Sequence, residues 1–345
     1  MSPKNLSVKT KIPKFLKHKL KNKKICQIYR NFEKSLNIDE NFIVAVSGGP
    51  DSLALAFLSK IYSIKKKLSC KFYIVDHKLR PESTTEAKYI KKVLKKNSFD
   101  VEILTWRGKK PLNNIQSLAR KKRYELLFKK CDELKIRNVL LGHHQDDLFE
   151  NFFIRMLRGS GLKGLVSLDK KSRIDNKNLL RPLLDLTKEK LIFISNHVFD
   201  FYINDPSNND EKFQRIRIRK LIKELENNGL DKKKFLKTIK NLKFSNTVVD
   251  FYVKKNLQQN SFFSNKKKIL VINNDFFQEP HEVIFRSLSN SIMLIGKKSY
   301  FVRGKKLDKI ISDIQNNRLY RATLGGCIIE KVNQTVIISS ENRIN

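Results

Sequence analysis

The sequence predicts an α/β protein with a doubly wound parallel sheet in its N-terminal part, followed by a smaller helical and α+β region. The first supporting observation is an alternation: from Asn41 to about Asp200, short apolar runs are separated by longer amphipathic stretches. Such alternation is typical of right-handed βαβ units on a parallel sheet. The second is the length of 345 residues, which exceeds one ordinary core and fits two or three domains of about 100–200 residues each.

Hydrophobic periodicity predicts the individual elements. Strands are predicted at residues 42–46, 72–75, 101–105 and 139–141. Helices are predicted at residues 52–64, 85–96, 114–134, 146–157 and 187–198. A dense turn cluster at residues 203–210 predicts a surface loop that closes the first domain. Beyond it, residues 212–259 are basic and helical, and strands return from residue 267 onward, ending in RATLGGCIIEKVNQTVIISS.

Charge is the strongest bulk property of the chain. Its 72 Lys and Arg residues against 34 Asp and Glu residues give a formal net charge of +38. Such an excess attracts polyanions and favours nucleic acid through counterion release. An A+T-rich genome would raise the lysine content by itself, but it explains the scarcity of acids less well. The first 24 residues, with nine Lys and no acid, predict a solvated basic N-terminal arm.

The cysteines and the hydropathy indicate the compartment. Cys26, Cys70, Cys131 and Cys327 lie far apart in the sequence and form no Cys-x-x-Cys pair. This argues against a zinc ribbon or a disulfide framework and suits a reducing cytosol. No apolar run approaches the roughly 20 residues that span a bilayer. We therefore expect a cytoplasmic protein that does not associate with a membrane.

The stretch FIVAVSGGPDSLAL places a glycine turn between a predicted strand and a predicted helix. Pro50 suits the first helical position, while Gly48 and Gly49 let backbone N–H groups approach an anion closely. The hydroxyls of Ser47 and Ser52 can add donors. The loop is therefore a candidate phosphate site, although Ser-Gly-Gly alone also fits a purely structural turn.

This loop differs from two common nucleotide-binding motifs. It does not end in Gly-Lys-Ser/Thr, so it is not a Walker A loop, and it lacks the Gly-x-Gly-x-x-Gly of dinucleotide-binding proteins. Asp51 lies in its mouth, where an acid is unfavourable beside an anion unless it meets a metal ion or a cationic substrate. Asp51 therefore indicates a nucleotide that binds with Mg²⁺.

A second group of polar residues follows the strand predicted at 139–141. His143, His144, Asp146 and Asp147 lie at the start of the next helix, on which Asp147 shares a face with Glu150. The side of this helix predicted to be buried carries Phe152, Phe153, Met156 and Leu157. Because both strands end at the same edge of a parallel sheet, these carboxylates are expected beside the glycine loop.

Two simpler interpretations of this second group stay open. The acids could only complement the positive end of the helix dipole, which stabilises by about 0.3–1 kcal/mol. A zinc site built from His143, His144 and an Asp is the other alternative. Two acids and two histidines on one ligand-binding edge are more than capping requires, so we expect a functional site.

Together these motifs resemble a known family. Ser-Gly-Gly-x-Asp-Ser after a hydrophobic strand looks like the pyrophosphate-binding loop of the N-type ATP pyrophosphatase, or PP-loop, superfamily, whose members adenylate an acceptor oxygen. The string around His143 resembles the tRNA(Ile)-lysidine synthetases, as do VDHKLRPES, IQSLARKKRY, RGSGLKGL, RPLLDLTKEKL and NDPSNNDEKFQRIRIR, which occur in that order. The match covers about residues 41–221, and beyond residue 231 only RATLGGCIIE looks similar.

This resemblance implies a fold and an organisation. The sheet would be of the adenine nucleotide alpha hydrolase-like type. The chain would divide into a basic N-terminal arm at residues 1–40 and a PP-loop ATP pyrophosphatase catalytic domain at residues 41–225. A basic helical and α+β region at residues 226–345 would bind tRNA or substrate.

The resemblance also implies a reaction. Members of the family ligate free L-lysine to the wobble cytidine of the isoleucine tRNA that carries the CAU anticodon and reads AUA. The cytosine C2 oxygen attacks the α-phosphate of ATP and releases pyrophosphate. The lysine amine then displaces AMP at C2, which forms lysidine. ATP is a substrate, and Mg²⁺ is expected to accompany it.

Site roles carry over to matching positions of this sequence. Arg120 would neutralise charge at the α-phosphate, His143 would serve the α-phosphate or the activated base, and Asp147 would orient the lysine ammonium. Asp51 would be shared between Mg²⁺ and the amine. The ATP-binding loop would comprise Ser47, Gly48, Gly49, Pro50, Asp51 and Ser52. Candidates for contact with tRNA phosphates are Arg215, Arg217 and Arg219, which otherwise form an ordinary basic surface.

Two alternative functions remain from the sequence. A tRNA thiolase of the same superfamily would need paired or active-site thiols, for which the four cysteines lack the spacing. A non-catalytic basic RNA-binding protein with a degenerate nucleotide fold is the other, and the intact loop with Asp51 argues against it.

Overall fold

A six-stranded sheet with order β3-β2-β1-β4-β6-β5 organises the first part of the chain. Its strands are β1 (Phe42–Val46), β2 (Cys70–Asp76), β3 (Val101–Thr105), β4 (Asn138–Leu140), β5 (Lys171–Ile174) and β6 (Lys177–Leu180). Strands β3, β2, β1, β4 and β6 run parallel to one another, and β5 runs antiparallel to β6. The doubly wound α/β fold predicted from the sequence is therefore confirmed.

The computed structural model describes residues 12–108, 115–204, 212–297, 302 and 304–341. The chain divides into two units, residues 1–230 and 231–345. The described helices of the first unit are α1 (Lys14–Leu20), α2 (Lys23–Leu36), α3 (Pro50–Lys66), α4 (Ser83–Lys96), α5 (Ile115–Glu133), α6 (Gln145–Met156), α7 (Leu162–Leu165), α8 (Lys188–Phe199) and α9 (Gln214–Asn227). The loop predicted at residues 203–210 falls largely outside the described residues.

The strand order creates a switch point at the centre of the sheet. Val44 of β1 pairs with Phe72 of β2 on one side and with Leu140 of β4 on the other. The chain runs outward from β1 to β3 and then returns to the opposite side of β1. Ligands of open α/β sheets bind at the carboxyl ends of strands where the order reverses. The segments that follow β1 and β4 occupy this position.

Helices cover both faces of the sheet. Successive strand residues point to opposite faces. Val44 belongs to an apolar cluster with α3, α4 and α8, whereas its neighbour Ile43 belongs to a second cluster that includes Leu127 and Cys131 of α5. Because both faces are buried, β1 is apolar at every position, as is usual for a central parallel strand.

The structure corrects the prediction of a solvated N-terminal arm for residues 12–36, whereas residues 1–11 of the predicted arm lie outside the described residues. The described residues 12–36 form α1 and α2 rather than an extended arm. The apolar stripe of α2, with Ile25, Tyr29 and Phe32, is buried in the same cluster as α3. The lysines of this segment lie on the exposed side of the helix. The lysine-rich composition therefore suggested a solvated arm, whereas the spacing of the apolar residues is that of a packed amphipathic helix.

The second unit is an antiparallel sheet packed against helices. Its sheet has the order β7-β8-β11-β10-β9, formed by β7 (Ser261–Ser264), β8 (Ile269–Ile272), β9 (Arg321–Leu324), β10 (Cys327–Val332) and β11 (Thr335–Ser340). Its helices are α10 (Lys232–Asn260), α11 (His281–Ile295), α12 (Gly304–Gln315) and a 3₁₀ turn at Asn274–Phe277. One apolar cluster joins the sheet to α11 and α12.

The prediction that strands return from residue 267 onward did not place the two helices α11 and α12 among them. In α11, Ile284, Leu288 and Ile292 are buried on one face. Their spacing of four residues is helical, although β-branched residues are common in strands. Among the described helices of the whole chain, none combines the length and the apolarity needed to cross a membrane.

Candidate active site

The glycine loop after β1 and the segment after β4 are in close contact. A side chain at Gly142 would lie 3.4 Å from backbone atoms of Asp51 and Ser52. Glycine at this position therefore lets the start of α6 approach the start of α3. The two polar groups recognised in the sequence thus meet at the switch point of the sheet.

Ser52 organises the glycine loop. Its Oγ accepts hydrogen bonds from the backbone N–H groups of Ser47 and Gly48, each at 3.0 Å. The same hydroxyl donates to the carbonyl of Gly49 at 3.0 Å. Gly48 has φ of +89°, and a Cβ there would meet Ile90 at 2.3 Å. The conformation therefore requires glycine, and the Ser52 hydroxyl holds the turn together from inside.

Asp51 lies in the first turn of α3 and carries an ion pair that the sequence did not suggest. The ammonium of Lys188, the first residue of α8, donates to both carboxylate oxygens of Asp51 at 2.8 and 2.6 Å. The ring Nε2 of His144 lies 3.7 Å from the same carboxylate. Asp51 therefore faces a lysine and a histidine of this chain.

His144 and Asp147 cap α6 reciprocally. The backbone N–H of His144 donates to the carboxylate of Asp147 at 2.8 Å, and the Nδ1 of His144 accepts from the backbone N–H of Asp146 at 3.3 Å. Burial raises the pKa of Asp147, but the two neighbouring histidines and this N–H outweigh it and lower the pKa below the usual value. Asp147 is therefore an anion at neutral pH that is fixed in orientation.

His143 differs from its neighbour in its surroundings. Its Nδ1 is buried and accepts or donates no hydrogen bond among the described residues. Burial lowers the pKa of His143 to about 4, with Asp147 opposing this and Arg181, Arg120 and Arg215 adding to it. His143 is therefore neutral at pH 7 and offers a hydrogen-bonding ring rather than a positive charge.

Glu150, one turn beyond Asp147, is almost fully buried and pairs with α9. Its Oε1 accepts from the Nε of Arg219 at 2.5 Å, whereas its Oε2 accepts no hydrogen bond from the described residues. Burial raises the pKa of Glu150 and the guanidinium of Arg219 partly reverses this shift. One oxygen of this carboxylate is thus left for a further donor.

Comparisons with known proteins agree with this arrangement. Residues 17–225 match the family model described as a PP-loop domain. Of the curated proteins, the tRNA(Ile)-lysidine synthase of Orientia tsutsugamushi is 36% identical over 90% of this chain and 72% of that protein. The tRNA(Ile)-lysidine synthase of Wolbachia pipientis is 34% identical over 87% of this chain and 70% of that protein. The chain belongs to the tRNA(Ile)-lysidine synthase family.

A solved structure supports the fold of this lysidine synthase family member. A U34-tRNA thiolase from Methanococcus maripaludis, solved with its [4Fe-4S] cluster, aligns with a TM-score of 0.53 and 18% identity. The alignment covers 64% of this chain and 78% of the thiolase. At this identity the likeness concerns the fold alone.

The structure brings together most of the residues expected for a lysidine synthase site. Asp51, His143 and Asp147 lie at the same sheet edge. Arg120 is exposed on α5, with its guanidinium 5.2 Å from the ring centroid of Tyr124. Its charge helps to lower the pKa of His143.

The three arginines predicted to contact tRNA do not form one row. They lie on helix α9, where residues two apart face different sides and residues four apart share one. Arg219 pairs with Glu150, and the charge of Arg215 acts on His143, Asp147 and Glu150. Arg217 lies between buried Ile216 and Ile218, on the exposed side of the helix. The three alternating arginines therefore have two different surroundings: Arg215 and Arg219 act on the site, and Arg217 is exposed on another side of the helix.

Two further details of α6 and its surroundings differ from expectation. Phe152 and Phe153 are buried as predicted, but Met156 and Leu157 at the end of the helix are 46% and 61% exposed. The zinc alternative finds no support, because no group of three His, Cys, Asp or Glu side chains suited to a metal occurs in the part of the chain that the structure describes. Lys188 and Arg181 are the residues at this edge that the sequence did not reveal.

Proposed function

We propose that this chain ligates L-lysine to the wobble cytidine of the isoleucine tRNA with the CAU anticodon, in the cytoplasm. The cytosine C2 oxygen attacks the α-phosphate of ATP, the bond to the β-phosphate breaks, and pyrophosphate leaves. The lysine amine then attacks C2, loses a proton, and displaces AMP. The observation that carries this proposal is the meeting of a glycine loop for an anion with two buried carboxylates for a cation at one switch point.

The ATP side of the site is the loop from Ser47 to Ser52. Its turn at Gly48 and the positive end of α3 favour a polyphosphate, and the Ser52 hydroxyl keeps the turn in shape before the nucleotide arrives. Pyrophosphate is the leaving group, so stabilising its charge accelerates the first step. The loop is therefore assigned to the β- and γ-phosphates.

Lysine recognition is assigned to α6. Asp147 is an anion whose orientation is fixed by the backbone N–H of His144, and the Oε2 of Glu150 is an acceptor without a donor among the described residues. An ammonium group with three N–H donors matches such a pair of carboxylates. Arg219 binds the other oxygen of Glu150 and lowers the pKa that burial raises, which favours the ionised form that attracts a cation.

His143 and Arg120 are assigned to the activated base and the α-phosphate. Because its ring is neutral, His143 would interact as a hydrogen-bond donor or acceptor and not as a cation. Arg120 is exposed and always charged, so it is the group suited to the α-phosphate oxygens.

Mg²⁺ fits this site as an ion that arrives with ATP. Mg²⁺ usually binds through one or two carboxylates together with substrate phosphates and water. The described residues contain no group of three metal-ligating side chains, and Asp51 is the carboxylate next to the loop. Asp51 would therefore supply the protein's ligand, and the bound ion would offset charge on the polyphosphate.

The second unit is assigned to tRNA, and α10 supports this assignment. The sequence of α10 holds eight lysines and one acid. Phe244, Val248 and Phe251 share one face of the helix and are 58%, 57% and 63% exposed. The ammonium of Lys240 lies 5.5 Å from the ring centroid of Phe244. Exposed aromatics between lysines suit unpaired bases and their phosphates.

The proposed function is tested with the purified chain, ATP, radiolabelled lysine and an unmodified transcript of the isoleucine tRNA. We expect lysine to enter the tRNA with one AMP and one pyrophosphate released per lysine. A transcript with uridine at the wobble position is the matched control and should accept no lysine. Absence of incorporation by the folded protein would overturn the proposal.

The alternative of a tRNA thiolase gains nothing from the cysteines. Cys131 and Cys327 are each buried in the apolar cluster of their own unit. Burial raises the pKa of Cys131 to about 11, which suppresses the thiolate that sulfur transfer requires. The non-catalytic alternative gives no role to the Oε2 of Glu150, which is buried without a partner among the described residues, although such a buried polar atom costs stability.

A further inference from the structure

The glycine loop lacks a cation of its own, and a distant lysine supplies one. In a Walker A loop, a lysine of the motif reaches the β- and γ-phosphates. Residues 47–52 contain no lysine. Lys188, which is 137 residues further along the chain, places its ammonium 2.6 and 2.8 Å from the carboxylate oxygens of Asp51 in the loop mouth.

The start of α8 is held against the loop by contacts that do not involve this ion pair. Ser195 of α8 is fully buried and donates its hydroxyl to the carbonyl of Pro50 at 2.7 Å. Leu191 and Ile194 are fully buried in the cluster that contains α3. The backbone N–H of Gln145 donates to the carbonyl of Leu186, just before α8, at 3.0 Å. The backbone at Lys188 is therefore fixed to both α3 and α6.

The ion pair is too exposed to be explained as a structural bond. The side chains of Lys188 and Asp51 are 33% and 23% exposed. Partly solvated ion pairs typically contribute no more than about 1 kcal/mol to stability. Since packing already anchors α8, the ammonium is not needed to hold the helix. Its flexible four-carbon stem can instead follow a ligand that enters the loop.

We propose that Lys188 is a nucleotide-binding residue whose ammonium contacts the β- and γ-phosphate oxygens of ATP. Without nucleotide it neutralises Asp51, whose negative charge would otherwise repel the polyphosphate from the loop. With ATP bound, Lys188 moves from the carboxylate to the phosphates, and Asp51 becomes available to the ion that accompanies them. Lys188 thereby takes the place of the lysine that the loop does not contain. This inference rests on the proposed function to the extent that the loop binds ATP.

Direct binding measurements in EDTA test this proposal without turnover and without metal. Lys188→Met is compared with wild type for inorganic pyrophosphate, for a non-hydrolysable ATP analogue and for AMP. A lost charge-assisted hydrogen bond predicts about 10- to 100-fold weaker binding of pyrophosphate and the analogue. Binding of AMP, which lacks these phosphates, should change less than about threefold. Lys188→Arg keeps the charge and should recover most of the affinity, which also shows that the fold is intact.

Lys190→Met provides a matched control on the same helix. Two residues further along, a side chain points to another side of the helix, so this variant should bind all three ligands like wild type. Equal pyrophosphate binding by wild type and Lys188→Met would overturn the assignment of Lys188. If wild type itself bound neither pyrophosphate nor the analogue, the ATP role of the loop would fail and the assignment of Lys188 with it.

A double-mutant cycle with Asp51→Asn separates a direct phosphate contact from an effect through Asp51. If Lys188 contacts phosphate, Lys188→Met should still weaken pyrophosphate binding by at least about tenfold in the Asp51→Asn background. If Lys188 acted only by neutralising Asp51, the substitution would have no further effect in that background. That second result would overturn the proposal while leaving ATP binding by the loop intact.

Discussion

Replacing Arg219 by Met should expose how strongly the fold depends on the pairing of Glu150. Glu150 is 2% exposed, and Arg219 is the described residue that donates to its Oε1. Methionine keeps an apolar stem of similar length but removes the guanidinium. A buried carboxylate would then remain without its partner.

The expected cost follows from the unequal burial of the two side chains. Removing one partner of a fully buried ion pair costs about 3–5 kcal/mol. Arg219 is 44% exposed, so water can partly solvate the remaining carboxylate and the loss is smaller. We expect Arg219→Met to lower the free energy of unfolding of the first unit by about 1–3 kcal/mol at pH 8.

The loss of stability caused by Arg219→Met should increase with pH. Burial raises the pKa of Glu150 above its ordinary value of 4.5 even with Arg219 present, and removing Arg219 raises it further. A raised pKa means that the folded state binds a proton more tightly than the unfolded state. The contribution of this tighter proton binding by Glu150 to stability is complete below the pKa of the unfolded state and is lost as pH rises through the pKa of the folded state. The destabilisation should therefore be small near pH 4.5 and grow toward pH 8.

Urea unfolding followed by tryptophan fluorescence is suited to this measurement. The chain contains one Trp, Trp106, which lies in the first unit directly after β3. Glu150→Gln should return most of the stability to Arg219→Met, because a neutral amide needs no counter-charge. Arg217→Met on the same helix is the control. A loss that is equal at both pH values, or that Glu150→Gln does not reduce, would refute the reasoning.

Four further predictions concern function. Asp51→Ala should abolish lysine incorporation and leave tRNA affinity nearly unchanged in a filter-binding assay; a large loss of tRNA binding would mean that Asp51 serves another role. Arg217→Ala should weaken tRNA binding and reduce the slope of log affinity against log salt by about one, and an unchanged slope would place the RNA elsewhere. Phe251→Ala should weaken tRNA binding by roughly 5- to 100-fold without changing that slope, since stacking involves no counterions; unaltered affinity would remove α10 from the RNA surface. The ring of His143 should titrate at about 4 in ¹⁵N NMR, and an observed value above about 6 would contradict its neutral role.

The parallel sheet and the two motifs could be predicted because they are local. Apolar runs such as Phe42–Val46 mark strands by themselves, and the glycine loop and the GHHQDD string each lie within a few residues. The rule that ligands bind at the carboxyl ends of strands then places both motifs at one edge. The helices α1 and α2 and the strands β5 and β6 of the first unit were not predicted.

The pairings across the site could not be predicted because they join distant segments. Lys188 belongs to RPLLDLTKEKL, where it reads as one more lysine of a basic chain. Arg219 lies in an alternating series that suggested an RNA surface, and only helix α9 turns it toward Glu150. The roles of His143 and His144 depend on which ring has a buried Nδ1 without a partner among the described residues and which ring caps α6. Sequence spacing does not contain that difference.

The two ion pairs divide the site by charge. Before ATP binds, Lys188 covers Asp51 on the side of the glycine loop, and in our proposal the ammonium of free lysine is then repelled from this carboxylate. On the side of α6, Arg219 binds only one oxygen of Glu150, and Asp147 stays ionised beside it. A cationic substrate is therefore attracted to α6 and an anionic one to the loop. The sequence suggested that Asp51 is shared between Mg²⁺ and the amine; we propose instead that the amine is assigned to Asp147 and Glu150, which leaves Asp51 to the ion that accompanies ATP.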